Sequence, residues 1–253
     1  MTYLASPIRG GRLRQQANGG GGVLLFWCYN SRMSRKAEVF VLQAGYALWE
    51  KERNAQRADG TIVLVKSSVN VIVDTGLPKD REVILNGLKK HKLNSNDIKY
   101  VVCTHGDADH ISNNNLFPKA ALIVGFDRYD EDVATFFQKN YSIDENVTVT
   151  EMTGHDDRSI GVLVKTNEGL IAITGDLFEC EKDYLRVKDW VAFSKRPKDQ
   201  IKNRARIWEL ADYIIPGHGD IFRVNKKINL FQEESKQLKS ILQTVNVYGD
   251  IEL

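Results

Sequence analysis

The sequence predicts a four-layer αββα sandwich, an α/β (α+β) architecture in which two packed sheets are covered by helices on their outer faces. Two observations point to it. Apolar, β-branched runs fall in two blocks, each followed by segments with helical spacing. Residues with metal-ligating side chains also stand where several of those runs end in glycine turns, which would gather them along one edge of the sandwich.

In chain order, residues 1–35 read as a flexible basic leader. Up to position 37 the chain carries Arg9, Arg12, Arg14, Arg32, Arg35 and Lys36 with no acidic residue, together with the glycine run 19–22. Its apolar piece, 23–29, is far shorter than the ~20 residues a membrane span needs, and no small-residue cleavage site follows it. A mitochondrial presequence is the alternative reading of this leader. Residues 36–253 are expected to form a single domain. Strands are expected at 39–41, 61–65, 69–73, 99–102, 121–124, 147–149, 161–164 and 170–173, and helices at 79–91, 130–139, 199–211 and 229–244. Leu85 and Leu88 on the first helix, and Leu230, Leu238, Ile241 and Leu242 on the last, have the spacing of core-facing stripes.

At 253 residues and 42% hydrophobic content the chain can bury one substantial core. Its formal charge of +2 gives no overall field for nucleic acid or membrane. Of 35 basic residues six lie in the first 37 positions, leaving 29 against 33 acids in the remainder, so the body is mildly acidic. Cys28, Cys103 and Cys180 are too few and too irregular for a secreted disulfide framework, and Cys103 sits in an apolar run where a buried structural thiol is expected. A reducing compartment follows, the cytosol first and the nucleus as an alternative.

The chemistry concentrates in Thr104-His105-Gly106-Asp107-Ala108-Asp109-His110, which packs four possible metal ligands into six positions directly after an apolar run. Asp107 and Asp109 lie too close to remain ionised together without a cation, and imidazole with carboxylate suits borderline or hard first-row ions. Three further ligand types follow apolar runs at glycine turns: His155 after Gly154, Asp176 after Gly175, and His218 between Gly217 and Gly219. Glycine lets the backbone turn sharply there, so each side chain can enter a cleft. His91 follows a helical stretch and reads as a solvated helix-end residue.

An H-x-D-x-D-H loop, a lone His, a lone Asp and a G-H-G turn, in that order, resemble the metallo-β-lactamase superfamily, with Asp107 where most members carry a second loop histidine. Gln43–Ala47, Arg57–Gly60, Val73–Gly76, Leu116–Pro118, Gly175–Glu179 and Pro216–Gly219 extend the likeness over about 39–224. Carried over residue by residue, the resemblance implies two divalent metal ions. His105, Asp107 and His155 would hold one, Asp109, His110 and His218 the second, and Asp176 would bridge them. Zinc is expected, with iron or manganese as the alternative because Asp107 adds negative charge to the first site. Asp109 and Asp176 would serve catalysis as well as ligation, around a shared water whose pKa the ions lower so that hydroxide attacks an electrophilic carbon or phosphorus. Asp74 would accept a hydrogen bond from a ligand imidazole and fix its tautomer. Tyr46 is a residue that could reach the site.

Within the superfamily, the wider matches resemble a branch for which the likeness implies a zinc-dependent endoribonuclease acting at histone pre-mRNA 3′ ends, and a homodimer. An RNA partner would use the bases between 181 and 206, interleaved with Tyr184, Trp190 and Phe193, as a groove with stacking platforms; a solvated helix and loop is the competing reading. Two other functions stay open: a glyoxalase II-type hydrolase of a small thioester or lactone, and a non-catalytic metal-binding protein whose first site Asp107 has weakened.

Overall fold

The computed structural model describes residues 36–246. Residues 1–35, including the expected leader and Cys28, and residues 247–253 lie outside the described residues. The first half contains β1 (Glu38–Gln43), β2 (Tyr46–Glu50), β3 (Ala55–Asp59), β4 (Ile62–Lys66), β5 (Asn70–Val73), α1 (Arg81–Lys90), β6 (Ile98–Cys103), α2 (Ala108–Ile111), β7 (Ala121–Val124), β8 (Asp127–Asp130) and β9 (Val133–Phe136). The second contains β10 (Asn140–Ser142), β11 (Val147–Glu151), β12 (Ile160–Lys165), β13 (Leu170–Ile173), α3 (Val187–Val191), α4 (Pro197–Leu210), β14 (Tyr213–Ile215), β15 (Phe222–Arg223) and α5 (Leu230–Asn246).

Two sheets result, one in the order β1-β4-β5-β6-β7-β8-β9 and one in the order β10-β11-β12-β13-β14-β15, while β2 and β3 pair only with each other. Strand alternation explains the layering. Val63, Val65, Val71 and Val73 pack from the first sheet against Val149, Ile160, Val162 and Ile173 of the second. Their neighbours Ile62, Leu64 and Ile72 face the other way and bury Ile84 and Leu88 of α1. On the far side Ala172 and Ile214 pack against Ile207 and Trp208 of α4 and Leu230 of α5. Both faces of the central strands are therefore covered, giving the αββα sandwich the sequence predicts, with strand runs continuously apolar as doubly covered sheets require.

Connectivity puts the strand ends in register with function. β5, β6 and β7 run parallel, and β13 runs parallel to β14. Two bonds join the sheets at this edge: Ile160 N at the start of β12 donates to Thr104 O after β6 at 2.8 Å, and Thr61 N before β4 donates to Gly217 O after β14 at 2.8 Å.

One expected helix is absent. Residues 130–139 instead form the end of β8, β9 and the crossing into the second sheet. Val133, Thr135 and Phe136 favour extended backbone, and Glu131 at φ +54 closes a hairpin in which Asp130 pairs with Val133. The β2–β3 hairpin has no expected counterpart either. Its strands are short and half-polar, and the turn is made by a 3₁₀ segment ending at Asn54 with φ +47.

Arg204 of α4 is fully buried and ties the helical layer to the strand-end turns. Its guanidinium donates to both Asp183 oxygens (2.9 and 2.6 Å), to Glu234 Oε1 of α5 (2.7 Å) and to Leu177 O (2.6 Å), between the rings of Phe178 and Trp190. Removing one partner of such a network strands the buried charges that remain. Arg204→Met should therefore lower unfolding free energy by about 3–5 kcal/mol in urea denaturation, with Asp183 and Glu234 left uncompensated.

Candidate metal centre

All seven sequence-predicted ligands converge at the edge where the strands end. His105 follows β6; Asp107 precedes α2, and Asp109 and His110 lie on that helical turn. His155 stands between β11 and β12, Asp176 in the 3₁₀ turn after β13, and His218 after β14. Their side-chain donor atoms form overlapping groups in which every atom lies within 4.8 Å of the others. These groups are His105-Asp107-His155, His105-His110-Asp176, Asp109-His110-His218 and His155-Asp176-Glu179.

Asp176 is the hub. Its carboxylate is met by Nε2 of His218 (3.2 Å), His110 (3.3 Å), His105 (3.5 Å) and His155 (3.7 Å). Close backbone approach makes this possible. A side chain at Gly217 would collide with the Asp176 carboxylate and one at Gly175, which sits at φ +50, with Thr104. Gln200 of α4 donates to Asp176 O at 3.1 Å and holds the turn from behind.

A relay behind the imidazoles fixes their tautomers. Asp74, in the left-handed region at φ +57, accepts from Thr104 N (2.7 Å), Thr104 Oγ1 (2.8 Å) and His110 Nδ1 (2.9 Å). Because the Thr104 hydroxyl hydrogen goes to a carboxylate, its oxygen is free to accept from His105 Nδ1 at 3.1 Å. His218 Nδ1 donates to the Asp59 carbonyl at 3.0 Å. Three of the four rings thus direct an Nε2 lone pair inward, as metal-ligating histidines do.

The donor set fits divalent cations. His105 Nε2, His110 Nε2 and Asp176 Oδ1 are buried without hydrogen-bond partners among the described residues, a costly arrangement unless a cation answers it. Electrostatics agree. Burial alone would raise the Asp176 carboxyl, but the imidazoles of His218, His110 and His105 hold it well below the usual range. Burial disfavours charge on His105 and His218, yet Asp176 overrides it and pushes both up to about 9. The pocket favours positive charge at physiological pH, a demand that divalent cations held by these residues would meet.

Asp107 differs from the rest. Its side chain is 65% exposed, though its carboxylate stands 3.4 Å from His105 Nε2 and 3.6 Å from His155 Nε2. The facing imidazoles of His105 and His155 hold it well below the normal carboxyl range. Glu179 carries no expected chemical role, although it closes the Gly175–Glu179 stretch; its carboxylate lies 3.9 Å from His218 Nε2, and burial followed by the nearby Asp176 pushes it up to about 8. Asp59 likewise carries no expected role, since it acts through its carbonyl. Tyr46 does not line the cleft, whereas its hairpin neighbours Ala47, Leu48 and Trp49 border the adjoining cavity. His91 ends α1 as expected but is half-buried against the ring of Phe40 instead of solvated, and Cys103 is buried beside Asn114, the structural role expected of it.

Fold and site together define a metallo-hydrolase, and the chain belongs to the metallo-β-lactamase superfamily. The family model described as "Metallo-beta-lactamase superfamily" matches residues 58–137. Metallo-β-lactamase domain-containing protein 1 of Xenopus laevis is 36% identical over 205 residues, spanning 78% of this chain and 86% of the relative; the Homo sapiens protein of that name is 33% identical over 221 residues, 74% and 82%. Among solved structures, an N-acyl homoserine lactone hydrolase superposes with a TM-score of 0.55 at 16% identity, covering 73% of this chain and 93% of the other.

Asp176→Asn should reduce the metal bound per chain below the wild-type content, as measured by elemental analysis of the purified proteins. Asp74→Asn leaves every ligand in place but removes the relay, and should weaken metal binding by about 10- to 100-fold in a chelator competition.

Proposed function

We propose that this protein is a dinuclear metallo-hydrolase that cleaves the phosphodiester backbone of single-stranded RNA, with the 3′ end of histone pre-mRNA as the substrate implied by the resemblance of its sequence. The observation that carries the reading is the pair of three-residue groups, His105-Asp107-His155 and Asp109-His110-His218, on either side of the Asp176 carboxylate. Bound there, two cations supply Lewis acidity and an activated water, and a two-ion clamp suits in-line displacement at phosphorus. The residues themselves supply the geometry. Asp74 and Thr104 hold His105 and His110 in the ligating tautomer, the Asp59 carbonyl does the same for His218, and Gly217 leaves room for Asp176 between them.

The cleft over the site has a volume of about 260 Å³, and besides candidate ligands it is bordered by Gln56, Ala58, Leu77, Ala108, Glu179 and Phe193. The expected basic groove is narrower than residues 181–206 promised. Trp190 and Arg204 are buried and Tyr184 packs into the core, leaving Phe193 as the exposed ring. Lys195 pairs with Asp156, Arg196 with Asp157, and Lys202 with Asp199. Their charge is largely spent within the protein.

The deciding measurement is turnover by metal-replete protein of a labelled single-stranded RNA beside a small thioester and a lactone. RNA cleavage that falls at least about 100-fold in Asp176→Asn supports the reading, since the ion pair supplies several kcal/mol of transition-state stabilisation. Thioester or lactone hydrolysis with intact RNA would reject it in favour of a carbonyl hydrolase.

A further inference from the structure

Beside the metal cleft lies a larger cavity of about 590 Å³, inside the size range of small-ligand sites. Gln56, Glu179, Phe193 and His218 border both, so the cavity is continuous with the position of chemistry. Two elements that carry no metal ligand supply much of its wall. One is the β2–β3 hairpin with Leu48 and Trp49; the other is α3 and the segment after it, with Trp190, Ala192 and Phe193. Leu48, Trp49 and Phe193 are 56%, 58% and 48% exposed. Three large apolar side chains left in water around one hollow mark a binding surface rather than scattered surface residues.

The rim supplies complementary polarity. Arg186 is paired with Asp189 at 3.4 Å and Asp183 is engaged by Arg204, whereas Lys188 is exposed and has no ion-pair partner among the described residues. In the wall, the buried indole nitrogen of Trp190 has no hydrogen-bond acceptor among the described residues. The cavity therefore offers exposed aromatic faces and one cation without an ion-pair partner among the described residues, next to the proposed phosphodiester site. A planar heteroaromatic group joined to an anionic backbone matches these.

We propose that this cavity is a nucleobase subsite that seats the base next to the scissile phosphate by stacking on Trp49 and Phe193, with Lys188 on the adjoining phosphate. The proposal rests on the RNA reading above and specifies how that substrate is held. Base-on-aromatic stacking tolerates every base. Such a subsite would therefore select unpaired strands over duplexes, where the base is not free to leave its partner, without selecting sequence.

The test is steady-state cleavage of a short single-stranded RNA and of a series in which one nucleotide at a time is abasic, by wild type, Trp49→Ala, Phe193→Ala and Trp49→Phe. Metal content and thermal midpoint are measured on each. In wild type, one abasic position beside the cut should lower kcat/KM by about 10- to 100-fold. Trp49→Ala and Phe193→Ala should lose a comparable factor on intact RNA and become insensitive to that abasic position, while Trp49→Phe regains most of it. Equal losses on intact and abasic RNA, or no abasic position that matters, would overturn the subsite while leaving RNA cleavage standing. If wild type cleaves no RNA but hydrolyses a thioester whose acyl part depends on Trp49, the RNA reading itself has failed and the cavity holds an acyl group.

Discussion

A carboxylate buried among four imidazoles is the arrangement to which the rest of this molecule is subordinate. Asp176 sits nearly out of reach of solvent with four Nε2 atoms within 3.7 Å, and burial on its own would neutralise it. It stays charged because the histidines answer it, and the histidines stay poised to bind cations because it is there. This mutual dependence accounts for features that look unrelated along the chain. Gly175 and Gly217 clear a path for the backbone, Gln200 pins the Asp176 carbonyl, and the Arg204 network fixes the turn containing Leu177 against α4 and α5. An outer helical layer thus helps to position the central ligand by holding the backbone of its turn.

The ligands are also held before any cation arrives. Asp74 is strained into positive φ, and at that position it accepts three hydrogen bonds that reach both loop histidines. Strain of that kind persists only when its surroundings overdetermine it. The energetic consequence is that little ordering cost remains for metal binding to meet, since ring orientations and tautomers are set by folding.

Much of this was legible in the sequence, for identifiable reasons. Strand runs such as 61–65 and 69–73 announce themselves because both faces of the strand are covered and nearly every position is apolar. The ligands announce themselves because histidine and aspartate contribute little to packing at a glycine turn that closes an apolar strand, and Asp74 stands out within Val73–Gly76. Residues 130–139 were misleading because acidic and aromatic residues at that spacing satisfy a helical template, and only pairing with β7 through β8 makes them a hairpin. Asp59 was invisible because its carbonyl makes the contact, which any residue type could supply. Trp190 and Phe193 looked equivalent in sequence, and only the packing of Arg204 between Phe178 and Trp190 separates the buried ring from the exposed one.

The two ligand groups are unequal, and the inequality has a physical origin in the loop. In Asp109-His110-His218 both rings are anchored at Nδ1, by a carboxylate and a carbonyl, and His110 is fully buried. In His105-Asp107-His155 the Nδ1 of His105 is anchored by Thr104, whereas the buried Nδ1 of His155 has no partner among the described residues and Asp107 faces the two rings from an exposed position. Asp109, His110 and His218 would therefore hold a cation with less ordering entropy to overcome. His105, Asp107 and His155 would hold one only by immobilising Asp107 and His155, and a carboxylate in the position of an imidazole would strengthen attraction to harder ions. The departure at position 107 leaves the hub intact and acts on the hold and selectivity of one half of the centre.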